Sequence, residues 1–173
     1  MDRDVKRVKV LGIDPGYDRL GFAVIAGSNI DNFSLLTTGL ITTSPKQTYR
    51  MRLKAIFADL NGLFRDFDID IVTIEKLFFW RNITTAFKVG MAMGAVLLAM
   101  DTQDLLEVHP VRLKKFISGS GRASKKAIMN SLRLRFNINV KAPDDVWDAI
   151  AIAIFGLYNY SAKKSTIRAE SKK

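Results

Sequence analysis

Four acidic residues stand at the edges of apolar segments, where carboxylates can do chemistry. Asp14 ends the apolar run VKVLGI, and Glu75 ends the run DIVTI. Asp145 and Asp148 are three residues apart in DDVWDAIAIAI, so a helix places them on one face. Each acid alone also suits a structural role, because acids are common at Pro-Gly turns and at helix starts. Glu75 is the hardest to explain that way, since an acid that closes an apolar strand has no turn role.

Carboxylates gathered in one place need either a raised pKa or a bound cation. Two of them 4 Å apart repel by about 4 kcal/mol at an effective dielectric constant of about 20. The chain has no cysteine and a single histidine, His109, which excludes thiolate sites and histidine-rich zinc sites. Oxygen ligands favour Mg²⁺ or Mn²⁺, and two such ions stabilise the attacking and leaving oxygens of a phosphoryl displacement.

Composition points to a nucleic acid as the partner. The chain has 173 residues, 48% of them hydrophobic, and its 27 Lys and Arg against 17 Asp and Glu give a net charge of +10. The length fits one globular domain, and the charge favours a polyanion. The most apolar segment, residues 89–100, is too short to span a bilayer, and the N-terminus does not resemble a signal peptide. A cytoplasmic protein is therefore expected.

The hydrophobic patterns predict a mixed α/β domain. Strands are expected at residues 7–13, 20–26, 32–43, 70–75 and 105–109, and helices at 50–67, 83–100, 110–117, 123–137 and 145–160. Short turns make the first three strands antiparallel, whereas the later strands follow helices and should be parallel. Asp144 is a candidate N-cap of the last helix. We expect a domain over residues 1–160 and a basic, disordered tail over 161–173.

Four stretches carry a family resemblance in order and spacing. They are LGIDPG…GFAVI, IVTIEKLFF…KVG.A.GAVLLA, HPVRLKKFISGSGRASKK and DDVWDAIAIAI. Together they resemble the RuvC-type Holliday junction resolvases, dimeric endonucleases of the RNase H-like fold. The resemblance implies a mixed five-stranded sheet flanked by helices. It also implies a crossover junction endodeoxyribonuclease that resolves four-way DNA junctions by symmetric, metal-dependent phosphodiester hydrolysis during recombination and repair.

The resemblance also implies roles for single residues. Asp14, Glu75, Asp145 and Asp148 are the expected catalytic carboxylates, holding two Mg²⁺ ions for which Mn²⁺ can substitute. Phe78 is the expected base-stacking aromatic, with Phe79 and Trp80 as rivals. The expected DNA-binding cations are Lys114 and Lys125, with the neighbours Lys115, Arg122 and Lys126 as substitutes. The role of Asp144 stays open.

Partners and rival functions complete the expectations. The family places its dimer contact around the helix at 83–100, which carries Gly90-x-x-x-Gly94; ordinary internal packing is the alternative interpretation. The expected partners are a four-way junction, a second copy of the chain and a branch-migration helicase complex. The rival functions are a non-catalytic junction-binding module and a nucleotide-binding ATPase of the actin and heat-shock chaperone group.

Overall fold

The computed structural model describes residues 7–76 and 83–170, with the side chains up to residue 162. The aromatic residues Phe78, Phe79 and Trp80 lie outside these ranges. In chain order the described elements are β1 (Val8–Asp14), β2 (Arg19–Asn29), β3 (Asn32–Thr42), α1 (Tyr49–Phe67), β4 (Ile71–Glu75), α2 (Ile83–Ala99), β5 (Asp104–Val108), α3 (Pro110–Ser118), α4 (Lys125–Phe136) and α5 (Asp144–Glu170). None of the helices in these ranges combines the length and apolar character needed to cross a membrane.

The strands form one mixed sheet in the order β3-β2-β1-β4-β5. β1 pairs with β2 and β2 with β3 in antiparallel fashion, while β4 runs parallel to β1 and β5 parallel to β4. The predicted change from antiparallel to parallel strands is therefore confirmed. It places the C-terminal ends of β1, β4 and β5 at the same edge of the sheet.

Each face of the sheet is covered by different helices. Along β1, Val8 and Val10 belong to the apolar core beneath α5, whereas Leu11 and Ile13 belong to the core beneath α1 and α2. This division follows the two-residue period of a strand. Because Asp14 continues the first series, it lies on the face that α5 covers.

Glycines let α5 approach the sheet at backbone distance. A Cβ atom at Gly12 in β1 would lie 2.3 Å from the carbonyl oxygen of Ala149, and one at Gly21 in β2 would lie 2.1 Å from that of Asp145. Further along the helix, a Cβ at Gly156 would lie 2.1 Å from Thr73 Oγ1 of β4. The position of α5 is thus fixed by backbone contacts with β1 and β2 and by the contact of Gly156 with the Thr73 side chain of β4.

The last helix differs from its predicted limits. It extends from Asp144 to Glu170, so the prediction that it ends at residue 160 was wrong, and the helix enters the segment assigned to a disordered tail. Asp144 is the first helical residue and not the predicted cap, because the carbonyl of Pro143 accepts the first bond, from the amide of Val146 at 3.1 Å. The division at residue 160 into a domain and a tail stays a prediction.

Candidate active site

Asp14 and Glu75 meet at one edge of the sheet. Ile13 of β1 is in register with Ile74 of β4, so the residues that follow them end neighbouring parallel strands. Glu75 shares the strand face of Ile71 and Thr73, which is the face that α5 covers. The predicted encounter of these two carboxylates is therefore explained by strand order and by the period of the strands.

The start of α5 brings Asp148 to the same edge. Asp14, Glu75 and Asp148 line one cavity of about 290 Å³ together with Lys114 and Lys125. Its remaining lining consists of Pro110, Leu113, Ile128 and Ala151. Acidic and basic side chains thus line one small cavity together with apolar residues.

Burial and mutual repulsion change how these acids titrate. Burial, followed by the charges of Asp148, Glu75 and Asp145, raises the pKa of Asp14 to about 7. Burial and the charge of Asp148 also raise the pKa of Glu75, against the opposing effect of Lys114 and Lys125. A group of carboxylates that resists ionisation in this way is suited to a bound cation.

Lys125 supplies positive charge to this cavity. Its Nζ lies 3.0 Å from Asp148 Oδ2 and 3.9 Å from Asp144 Oδ2. Burial disfavours its charge, but the hydrogen bond to Asp148 and the nearby carboxylates of Asp148, Asp144 and Asp14 outweigh this and raise the pKa of Lys125. Lys125 is therefore firmly cationic, with its charge directed at the acids.

Asp145 has a different partner from Asp148. Its Oδ2 accepts a hydrogen bond from Arg19 Nη2 at 2.7 Å, and it is not among the residues that line the cavity. Sequence analysis placed Asp145 and Asp148 on one helical face, whereas the structure divides them between two cations. Arg19 was missed because nothing in its sequence neighbourhood distinguishes it from an ordinary exposed arginine at a strand start.

The donor set fits a hard divalent ion in its chemistry. All four predicted ligands are carboxylates at or near one edge of the sheet, which is what Mg²⁺ and Mn²⁺ prefer. Among the side chains described, those of residues 7–76 and 83–162, no three acidic or histidine groups stand close enough together to hold an ion as they are. Two of the four carboxylates are instead engaged in ion pairs, Asp148 with Lys125 and Asp145 with Arg19.

Comparison with known proteins identifies the family of this site. The family model described as "Crossover junction endodeoxyribonuclease RuvC" matches residues 10–156. The chain belongs to the RuvC family of crossover junction endodeoxyribonucleases. A RuvC relative from Thermosipho melanesiensis is 37% identical over 149 residues, covering 84% of this chain and 94% of the relative. One from Alkaliphilus oremlandii is 38% identical over 148 residues, covering 84% and 90%.

Solved structures agree with this assignment. A structure of T. thermophilus RuvC in complex with a Holliday junction substrate matches with a TM-score of 0.84 and 30% identity, covering 90% of this chain and 96% of that one. The yeast mitochondrial resolvase Ydc2, at 15% identity and a TM-score of 0.65, shares the fold. The predictions of an RNase H-like fold and of a DNA endonuclease that resolves junctions are confirmed. The non-catalytic module and the ATPase are therefore set aside.

A buried arginine of this RuvC-family chain supports the loop that follows Asp14. Arg52 of α1 is only 5% exposed, contacts the carboxylate of Asp18 and donates to Thr43 Oγ1 at 2.8 Å and to the carbonyl of Tyr17 at 3.3 Å. Its guanidinium also lies 3.9 Å from the centre of the Tyr17 ring. Sequence analysis missed Arg52, although its spacing of four and eight residues from the apolar Ile56 and Leu60 was a usable signal.

The other predicted DNA-binding residues surround the cavity or lie outside the described residues. Lys114 lines the cavity, whereas Lys115, Arg122 and Lys126 are exposed on α3, on the α3–α4 loop and on α4. Phe78, the predicted base-stacking residue, falls among residues 77–82, which the structure does not describe. His109, the single histidine, caps α3 by accepting the amide hydrogen of Val111 at 3.2 Å.

Proposed function

We propose that this chain cleaves four-way DNA junctions at the cavity lined by Asp14, Glu75 and Asp148. The observation that carries the proposal is the meeting of three carboxylates and two lysines at one sheet edge in a member of this family. Acids that repel one another favour a cation, and lysines favour phosphate. A metal-dependent nuclease needs both the cation-binding carboxylates and the phosphate-binding lysines in one cavity.

The proposed cation is Mg²⁺, two ions to each site, with Mn²⁺ as a substitute. Asp14, Glu75 and Asp148 would hold it from the cavity, and Asp145 would join them from the start of α5. When bound, such ions activate a water molecule and stabilise the leaving 3′ oxygen of a phosphodiester. The support for this assignment is the oxygen-only donor set and the raised pKa values of Asp14 and Glu75.

The protein's own groups hold and orient the DNA. Lys114 and Lys125 line the cavity, and in this proposal they neutralise the phosphate that enters it. The exposed Lys115, Arg122 and Lys126 extend this positive surface and would contact phosphates farther along the strand. Base stacking by Phe78, with Phe79 and Trp80 as rivals, belongs to the proposal as a prediction from sequence. So does cooperation with a branch-migration helicase complex.

The proposed active form is a homodimer joined through the outer side of α2. Among the residues that the structure describes, no atom lies within 4 Å of a Cβ added at Gly90 or Gly94, which favours an outward-facing role for these glycines over internal packing. Beside them Ile83, Phe87 and Leu98 are 89%, 65% and 78% exposed. A four-way junction has two-fold symmetry, and an isologous dimer would present two identical sites to it. Because the substrate is cellular DNA, the cytoplasmic location predicted from the sequence is part of the proposal.

A cleavage assay tests this function. The protein is mixed with a synthetic four-way junction or a linear duplex of the same arms, with and without Mg²⁺. We expect paired nicks in opposite strands of the junction, only with the metal, and products that a ligase seals. Equal cutting of the linear duplex, or cutting in EDTA, would contradict the proposal.

A further inference from the structure

We propose that Arg19 is a positioning residue that holds Asp145 away from the metal site and thereby sets the divalent-ion concentration at which that site fills. The inference rests on the proposed function, since it concerns the fourth carboxylate of the same site. Its observation is the ion pair between Arg19 Nη2 and Asp145 Oδ2 at 2.7 Å.

The backbone contact between β2 and α5 places Arg19 close to Asp145. Arg19 lies two residues before Gly21, so both point to the face of β2 that α5 covers. Gly21 packs against the backbone of Asp145, where an added Cβ would lie 2.1 Å from the carbonyl oxygen. The first turn of α5 and the start of β2 are therefore in contact. This contact fixes the distance between the backbones of Arg19 and Asp145, which their side chains then bridge.

Asp145 is near enough to matter to the other acids. Its charge is one of the causes that raise the pKa of Asp14. Nevertheless, Asp145 does not line the cavity that Asp14, Glu75 and Asp148 share. The guanidinium of Arg19 thus holds the Asp145 carboxylate beside the metal site and neutralises its charge.

Arg19 competes with a metal ion in two ways. A carboxylate oxygen that accepts a guanidinium hydrogen bond has less capacity for an ion, and the guanidinium charge repels a divalent cation. The side chain of Arg19 is 51% exposed and that of Asp145 is 29% exposed, so the pair is open to solvent and easily broken. We therefore expect Arg19 to compete only moderately with a divalent ion for Asp145. The ion pair should weaken metal binding without abolishing it.

The experiment measures Mn²⁺ binding to the DNA-free protein by electron paramagnetic resonance. We expect Arg19→Gln to lower the Kd for Mn²⁺ about three- to tenfold, since it removes a weak ion pair and one repelling charge. Arg65→Gln is the matched control. It removes the same charge from α1 on the opposite side of the sheet, where Arg65 pairs with its neighbour Asp66. It should leave the Kd unchanged.

A double-mutant comparison separates local pairing from general charge. In an Asp145→Asn background, Arg19→Gln should lower the Kd for Mn²⁺ by a smaller factor than in the wild-type background, because the ion pair is already gone and only the repelling charge of Arg19 remains to be removed. In junction cleavage, Arg19→Gln should lower the Mg²⁺ concentration needed for half-maximal rate. A thermal melt confirms that each variant is folded.

Three results would overturn the inference. They are an unchanged Kd for Mn²⁺ in Arg19→Gln, a weaker one, or the same shift in the Asp145→Asn background. If the wild-type protein cuts junctions and the Kd is unchanged, the role of Arg19 fails and the proposed function stands. If the wild-type protein cuts nothing in Mg²⁺ or Mn²⁺, the proposed function fails, while the Mn²⁺ measurement still decides whether Arg19 competes.

Discussion

The two faces of the sheet are completed in different ways. On one face, α5 contacts β1, β2 and β4 so closely that Gly12, Gly21 and Gly156 leave no space for a methyl group. On the other face, α2 packs its inner side into the core, while in the described part of the chain no atom lies within 4 Å of a Cβ added at Gly90 or Gly94. Large apolar side chains such as Phe87 and Leu98 are exposed there, at 65% and 78%.

The two faces therefore have different roles: the closed face positions the carboxylates, and the open face is the proposed site of association. The closed face fixes the start of α5, and with it Asp148, against the strands that end in Asp14 and Glu75. The open face has no such constraint, and its exposed apolar surface is where we propose that a second copy of the chain binds. Changes on the closed face should therefore affect folding and chemistry, whereas changes on the open face should affect association.

The largest predicted stability effect is overpacking of the closed face. Gly12→Ala places a Cβ 2.3 Å from the carbonyl oxygen of Ala149, so α5 must shift away from β1. We expect a loss of about 3 kcal/mol in the free energy of unfolding, measured in urea. Gly62→Ala in α1 is the matched control and should gain up to about 1 kcal/mol, because its methyl group lies at an ordinary contact distance, 4.0 Å from Arg65 Nη2, inside a helix. Similar losses for both variants would remove the contrast between the faces.

The second prediction concerns the charge gathered on the closed face. The folded pKa of Asp14, about 7, lies above its unfolded value near 4, so folding favours the protonated carboxyl. This contribution is complete below pH 4 and is lost as the pH rises through about 7. In EDTA at pH 8, Asp14→Asn should therefore be more stable than wild type by about 2 kcal/mol, after discounting for partial exposure of the carboxyl.

Unfolding in EDTA at pH 4 and pH 8 checks this sign. The difference between the two proteins should be small at the lower pH, where Asp14 of the wild type is protonated in the folded state and about half protonated in the unfolded state. A variant that is less stable than wild type at pH 8 would show that the acids are not crowded.

The third prediction addresses the open face. Leu98→Glu puts a charge on the outer side of α2, where Leu98 is 78% exposed in the single chain. We expect the Kd of the dimer to rise at least about tenfold, or about 1.4 kcal/mol, by sedimentation velocity over a dilution series. Leu134→Glu is the matched control, because Leu134 is 88% exposed on α4 and away from α2. Equal effects of the two variants, or a wild-type chain that stays monomeric, would reject this interface.

The smallest predicted effect lies at the rim of the site. Lys126→Gln should weaken junction binding in EDTA about two- to threefold and reduce the slope of log K against log salt by about 0.9. Lys46→Gln, an exposed change in the loop before α1, should leave both values unchanged. Identical slopes for all three proteins would exclude a phosphate contact by Lys126.

The parts of the site that follow chain periodicity were predictable. Asp14 and Glu75 end apolar strands, so the order of the strands and their two-residue period suffice to bring the two acids together. The division of Asp145 from Asp148 was not predictable, because it depends on the backbone contact between Gly21 and α5. No local pattern encodes that contact.

Helix α1 shows how one residue of register can mislead. Met51 fits an apolar helical pattern with Phe64 and Phe67, yet Met51 is 50% exposed and the neighbouring Arg52 is 5% exposed. The spacing of Arg52, Ile56 and Leu60 marks the buried face correctly, but a charged residue on that face looks like an error until its partners are known. Those partners, Tyr17, Asp18 and Thr43, come from distant loops.

The central claim is that the carboxylates at the edge of the closed face perform the cleavage. The most direct measurement is the rate at which Asp14→Asn nicks a synthetic four-way junction at saturating Mg²⁺, beside Asp59→Asn, an exposed acid on α1. We predict a loss of at least about 100-fold for Asp14→Asn and no loss for Asp59→Asn, because only the first removes an oxygen ligand from the cavity. Cleavage by Asp14→Asn at the wild-type rate would contradict the claim.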